Sequence, residues 1–313
     1  MSLPQPYIPP GFDDFWFWTV REAESAPFDY DVGFEPVRPE PTQTGQTDPG
    51  TITLDHEIKV FSFRGIKGET LRGWIAYPLH SRGSQPAFLW IPPYGRESVM
   101  PNQFGTRNGF VSLSFNFIGR DAFYQEKYSP KRGYFADGVL SKESWIFRGM
   151  FQNAVIALRV LADQPAVDSA RMGTMGLSQG GGMSIWLGAW SERVKVVCAD
   201  MPFLGAIRDT LMKSVYRYPL KELVDYAATV PNGQNRVIET LAYFDTMNQA
   251  TRCAKPTLVS VGLKDPAVKP VQARAIYEAL PGPKGLISYY WGHDWHRDMI
   301  ETNRGWLERY LPP

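Results

Sequence analysis

Apolar and polar positions change period along this chain, and each change marks a change of element. Residues 4–10 are proline-rich and carry no period, as expected of a surface segment. Residues 13–24 predict a helix carrying Phe15, Trp16, Phe17 and Trp18. Residues 27–50 are rich in Pro, Gly, Thr and Asp, with no helical repeat, and read as a long wrapping loop. Residues 51–63 and 69–77 are β-rich and flank Gly65-Ile66-Lys67-Gly68, which predicts a hairpin.

Beyond this point short apolar runs alternate with helical patterns. Strands are predicted at 87–91, 110–117, 172–177, 194–199, 257–261 and 286–290. Residues 145–161 predict a helix, because Phe147, Phe151, Ala154, Val155, Leu158 and Leu161 recur at helical spacing. A second helix, opened by proline, spans 270–280, and a last one spans 304–310. The combination predicts an α/β protein: a mixed, mostly parallel sheet with helices on both faces and an N-terminal β-hairpin. Two segments break the repeat. Residues 121–142 are polar and aromatic, and 203–252 read as a helical insertion over the strand ends. With no internal repeat, residues 1–313 are expected to form one domain, residues 1–50 supplying its N-terminal helix and wrapping loop.

Composition narrows the function classes. Hydrophobic residues make up 43% and charged residues 21%, as in soluble globular proteins. A net charge of +1 without a dense Lys/Arg run argues against a nucleic-acid partner, and no apolar stretch is long enough for a membrane span. Aromatic residues reach 14%, including ten Trp, which suits an aromatic-lined sugar pocket but is expected chiefly of a large core. Cys198 and Cys253 lie in apolar surroundings and read as core thiols rather than a disulfide framework. Together with an N-terminus lacking a basic and apolar leader, this makes a cytoplasmic location the expectation, a removed signal segment being left open.

Candidate chemistry centres on Gly176-Leu177-Ser178-Gln179-Gly180, between an apolar strand and a helix-compatible run. That context fits a nucleophile elbow, in which a sharp strand-to-helix turn presents the serine hydroxyl at a helix N-terminus. A serine hydroxyl needs a base oriented by a carboxylate. Of the four histidines, His293 follows the last predicted strand and is the expected base, with His296 the runner-up; His56 and His80 lie in or beside the hairpin. Asp265 follows the preceding strand, held by Pro266, and is the expected acid. Asp200 is the alternative, and Asp294 is too close in sequence to orient the ring. The order Ser, Asp, His is the one such folds use. The oxyanion calls for two N–H donors, one from the residue after the nucleophile, Gln179, and one from the loop after 87–91. Pro92 and Pro93 have no N–H, so Tyr94 is the expected second donor. No HExxH or Cys/His cluster points to a metal, and no cofactor is expected.

With these residues placed, the chain resembles the acetyl xylan esterase / cephalosporin-C deacetylase family of carbohydrate esterases. The resemblance is carried by Phe12-Asp13-Asp14-Phe15-Trp16, Gly138-Val139-Leu140, Trp145-Ile146-Phe147-Arg148-Gly149 and Asn153-Ala154. It continues through Gly176-Leu177-Ser178-Gln179-Gly180-Gly181, Asp200-Met201-Pro202-Phe203-Leu204, 239–245 and Val261-Gly262-Leu263-Lys264-Asp265. It implies an α/β-hydrolase fold, nucleophile Ser178, acid Asp265, base His293, and oxyanion donors Tyr94 and Gln179. It further implies an acetylated sugar or similar small ester as substrate, and a homo-oligomer.

The sequence departs from the family pattern in three places. Pro92-Pro93-Tyr94 replaces the usual His-Gly-Tyr, Ile118-Gly119-Arg120-Asp121 stands where Arg-Gly-Gln is expected, and His293-Asp294 replaces His-Glu. Arg96 and Arg120 are candidates for a site mouth that favours anions, and Phe123, Tyr124 and Tyr128 for pocket walls. A prolyl-oligopeptidase-like peptidase shares the elbow and residue order, although too few residues precede the α/β part to form that family's propeller. A carbohydrate-binding protein with lost catalysis is the other rival.

Overall fold

The computed structural model describes residues 2–33, 55–80, 83–94, 101–117, 133–213, 215 and 217–312. Gly65 N–H donates to the Glu69 carbonyl at 2.7 Å, and Gly68 takes φ 84°, closing a tight turn. The turn joins β2 (His56–Arg64) to β3 (Thr70–Pro78) in an antiparallel hairpin running from Arg64↔Thr70 to His56↔Pro78. On the outer edge, β1 (Tyr30–Val32) pairs with residues 61–63 of β2. The expected wrapping loop is thus interrupted by a strand too short to show a period of two.

The hairpin extends a parallel set: β4 (Gln85–Ile91), β5 (Val111–Phe115), β6 (Val167–Leu177), β7 (Val194–Asp200), β8 (Thr257–Gly262) and β9 (Lys284–Tyr289). The nine strands run in the order β1-β2-β3-β5-β4-β6-β7-β8-β9, antiparallel as far as β5 and parallel from β5 to β9. The order reverses around β4 and β5. Loops leaving the C-terminal ends of β4, β6, β7, β8 and β9 therefore gather along one edge, where sites on open α/β sheets form.

Strand alternation sorts the core. Ala87, Leu89 and Ile91 face one side with Val197, Ala199, Val259 and Val261. Phe88 and Trp90 face the other with Val196, Cys198 and Leu258. The first side is covered by α1 (Phe12–Ser25), α2 (Ile146–Ala162), α3 (Gln179–Trp190) and α8 (Pro270–Ala279). The second is covered by α9 (Asp298–Tyr310) and residues 102–110. This is a mostly parallel mixed sheet with helices around it. The helix α9 starts at Asp298 rather than at 304, because buried Met299, Asn303 and Leu307 form its inner stripe and the asparagine breaks the apolar period. The 203–252 segment holds α4 (Ile207–Leu211), α5 (Leu220–Ala227), α6 (Gly233–Phe244) and α7 (Thr246–Ala250).

The aromatic residues go chiefly to the core. Trp16, Trp74, Trp145 and Trp186 are fully buried, as are Cys198 and Cys253. On α1, Phe12, Trp16, Thr19 and Ala23 make the inner stripe, while Asp13 and Asp14 complement the positive helix start. The Trp16 indole meets Phe151 at 4.8 Å and Phe244 at 5.3 Å between ring centroids, and its Nε1 donates to the Tyr243 carbonyl at 2.8 Å. It therefore links α1, α2 and α6. Trp16→Ala removes that contact and leaves a cavity. The expected cost is about 3–5 kcal/mol, read as a lower denaturant midpoint with an unchanged m-value.

Candidate active site

The strand β6 runs straight into α3 through Ser178, whose backbone sits at φ 58°, ψ −115°. That strained conformation is secured on both sides: Ser178 N–H donates to the Asp200 carbonyl at 2.8 Å, and its own carbonyl accepts from Phe203 N–H at 2.9 Å and Gly182 N–H at 3.0 Å. The glycines permit the packing. A Cβ on Gly176 would stand 2.6 Å from the Ile91 carbonyl oxygen, and one on Gly180 would overlap that oxygen outright. The turn can close only because neither position has a side chain.

Around the serine the structure brings together the expected partners. His293, in the loop after β9, places Nε2 2.8 Å from Ser178 Oγ and Nδ1 2.6 Å from Asp265 Oδ2. Asp265, in the loop after β8, is fully enclosed at its carboxylate, and its Oδ1 accepts from the N–H groups of Ala267 at 2.7 Å and Val268 at 2.8 Å. Two backbone donors thus fix one oxygen and leave the other aimed at the imidazole. The alternatives go elsewhere. Asp200 accepts from Asn303 Nδ2 at 2.7 Å against α9, its carboxyl pushed up by burial. His296 stacks on Tyr289 and lies 3.6 Å from Asp298. Asp294 accepts from the adjacent Trp295 N–H.

Gln179 is the first residue of α3, where backbone N–H groups have no intrahelical acceptor, and its side chain accepts from the Tyr134 hydroxyl at 3.3 Å. Tyr94 follows β4, beside β6 in the sheet, and its buried ring packs against Tyr134 at 5.0 Å and Phe135 at 5.6 Å. Both residues stand at the serine's edge of the sheet. Arg96, Arg120, Phe123, Tyr124 and Tyr128 lie outside the described residues. A cavity of about 1050 Å³ opens over Ser178, with Tyr94, Phe203, Ala206 and His293 among its walls. Among the described residues no cluster of His, Cys, Asp or Glu could hold a metal ion, and no helix is long and apolar enough to cross a membrane.

One part of the site escaped the sequence reading. The cavity wall after β7 runs through three non-glycine residues at positive φ, Met201, Leu204 and Ala206. Buried Asp245 clasps this segment. Its oxygens accept from Ala206 N–H at 3.0 Å, Ile207 N–H at 2.8 Å, Met247 N–H at 2.9 Å and the Tyr7 hydroxyl at 2.8 Å. Asn248 holds Tyr7 from both sides of its backbone. The available signal was an aspartate one residue before a short helix, which marks an N-cap but not its distant partners.

Sheet order and elbow define an α/β hydrolase, and comparison with known proteins narrows the class. The acetyl xylan esterase (AXE1) family matches residues 3–304. Acetyl esterase Axe7A of Xylanibacter ruminicola is 22% identical, over 99% of this chain and 70% of that protein. The acetyl xylan esterase from Paenibacillus sp. R4 superposes with a TM-score of 0.83 at 23% identity, covering 99% of this chain and 97% of that one. Acetyl xylan esterase 1 from Thermoanaerobacterium sp. JW/SL YS485 gives 0.78 at 23% identity, covering 99% and 96%. The protein is a carboxylic ester hydrolase. It belongs to the acetyl xylan esterase family.

Two outcomes follow from this geometry. Gly180→Ala forces backbone against backbone at the elbow, so it should destabilise by about 3 kcal/mol and abolish turnover. Gly305→Ala, with open space around its Cβ on α9, should instead stabilise by about 0.5–1 kcal/mol. Unfolding midpoints and kcat distinguish the two. The second concerns Asp245, whose carboxyl burial pushes from an ordinary 3.8 up to about 6, against the opposing pull of its four donors. Between these values the folded chain holds a proton the unfolded chain has lost. Stability conferred by that proton is complete below about pH 4 and fades as pH rises through about 6, by on the order of 2–3 kcal/mol. Thermal denaturation across that window should show the slope, and Asp245→Asn should flatten it.

Proposed function

We propose that this esterase removes acetyl groups from acetylated xylo-oligosaccharides or similar small sugar esters through a Ser178–His293–Asp265 triad within one α/β-hydrolase domain. The observation that carries the reading is the continuous relay from Asp265 Oδ2 through His293 to Ser178 Oγ, at 2.6 and 2.8 Å.

His293 holds its proton on Nδ1, donated to Asp265, which leaves Nε2 free to accept the Ser178 proton as Oγ attacks the acetyl carbonyl. The carbonyl oxygen becomes an oxyanion, held by the backbone N–H groups of Gln179 and Tyr94 and by the positive end of α3. His293 then protonates the departing sugar oxygen, and the C–O bond breaks to leave an acetyl-serine. Water repeats the sequence: it loses a proton to His293, attacks the acyl carbon, and releases acetate as Ser178 regains its proton. Every proton moves between residues of this chain, substrate and water. Tyr94 acts through its backbone, so the Pro92-Pro93 replacement removes no donor that the mechanism uses.

Acetate release from acetylated xylo-oligosaccharides, with a chromogenic acetyl and butyryl ester pair alongside, tests the reading. The parent should release acetate, prefer acetyl to butyryl, and lose about 10³-fold or more in kcat on Ser178→Ala. Release that survives the substitution, or cleavage of a dipeptide anilide in place of the esters, would overturn it.

A further inference from the structure

The walls of the cavity over Ser178 are unevenly charged. Among the described residues, Lys213, Arg217, Lys264 and Lys269 contribute to them, against Asp209 and Asp294. Asp209 already faces Arg208 at 3.6 Å, and Asp294 accepts from Trp295 N–H. None of the four cations forms an ion pair with a described carboxylate. The whole chain carries only +1, so this excess is local and does not reflect a basic protein.

Two of the cations are tied to the catalytic loop. Lys264 precedes Asp265, its backbone N–H donates to the Trp291 carbonyl at 2.9 Å, and its ammonium lies 4.0 Å from the centre of the exposed Tyr290 ring. The ring contact restrains that ammonium on its loop. Lys269 stands immediately before Pro270 at the start of α8, a helix with no acidic residue in its first turn. A cation there opposes the helix dipole, so fold stability does not call for it. Lys213 and Arg217 enter from the segment between α4 and α5. Exposed cations lining one cavity attract an anion more than any one of them would alone.

We propose that the mouth of this cavity binds a carboxylate on the leaving-group side of the ester, so that the preferred substrate is an acetylated oligosaccharide bearing an acidic sugar. This rests on the esterase reading above and adds the charge of the substrate to it. The cations act on encounter and binding, and the acyl transfer at Ser178 is common to acidic and neutral esters.

The test compares kcat/KM for two purified acetylated xylo-oligosaccharides of equal length, one carrying a uronic acid branch and one neutral. The parent should favour the acidic substrate several-fold, chiefly through KM, and the ratio should fall toward one as salt shortens the range of the attraction. The pairs Lys264→Gln with Lys269→Gln, and Lys213→Gln with Arg217→Gln, should each lower the ratio, by about two- to five-fold per cation removed. These side chains are exposed at the mouth, and the salt series probes the parent enzyme itself, so a folding defect in a variant cannot decide the result. A parent ratio of one or less, or a preference that survives both pairs and high salt, would overturn the inference while leaving the esterase reading intact if Ser178-dependent acetate release persists. Loss of Ser178-dependence on both substrates would remove the esterase reading, and this inference with it.

Discussion

The close approach of α3 to the ends of β4 and β7 is the constraint on which the rest of the structure depends. Gly180 lies against the Ile91 carbonyl, and Gly181 and Gly182 lie against the carbonyls of Asp200 and Phe203. Were α3 pushed outward by even one methyl group, Ser178 would lose its bonds to Asp200 and Phe203 and with them the backbone that aims its hydroxyl. Strain at one residue is held by packing and hydrogen bonds from β4, β7 and the loop after β7, which is how such conformations persist in folded proteins. The sheet order then places the loops of β8 and β9 beside it, so that Asp265 and His293 arrive from neighbouring strands.

Much of this was legible in the chain. The elbow has a local signature because its glycines, serine and flanking elements are contiguous. The placement of Asp265 and His293 beside Ser178 could be expected because strand order fixes which loops share an edge, and the chain has only four histidines. The structure separates the rivals by partner: Asp200 turns to Asn303 on the opposite face, and His296 to Tyr289 and Asp298. The aromatic excess goes chiefly to the core, as composition suggested, although of the run on α1 Trp16 is buried and Phe17 and Trp18 stay exposed.

What stayed hidden was long-range and polar. The strand β1 is only three residues long and is defined by its pairing with β2, not by its own pattern. The helix α9 began early because a buried asparagine, whose amide donates to Asp200, sits where periodicity asks for an apolar residue. The Asp245 clasp gave almost no signal. Its distant partners lie 38, 39 and 238 residues away, and three of its four bonds go to backbone N–H groups, which carry no residue identity.

That clasp also sets an order of events during synthesis. Tyr7 is synthesised well ahead of its acceptor, which follows 238 positions later, and His293 lies a further 48 beyond Asp245 by residue number. The elbow strand and its helix are complete long before either. A nascent chain that has already built the turn at Ser178 therefore lacks both the finished cavity wall and His293. Contacts spanning such separations close late, after the entropy of the intervening chain has been overcome. Ser178 meets His293 across 115 positions, so the bond between them forms as one of the later consequences of folding.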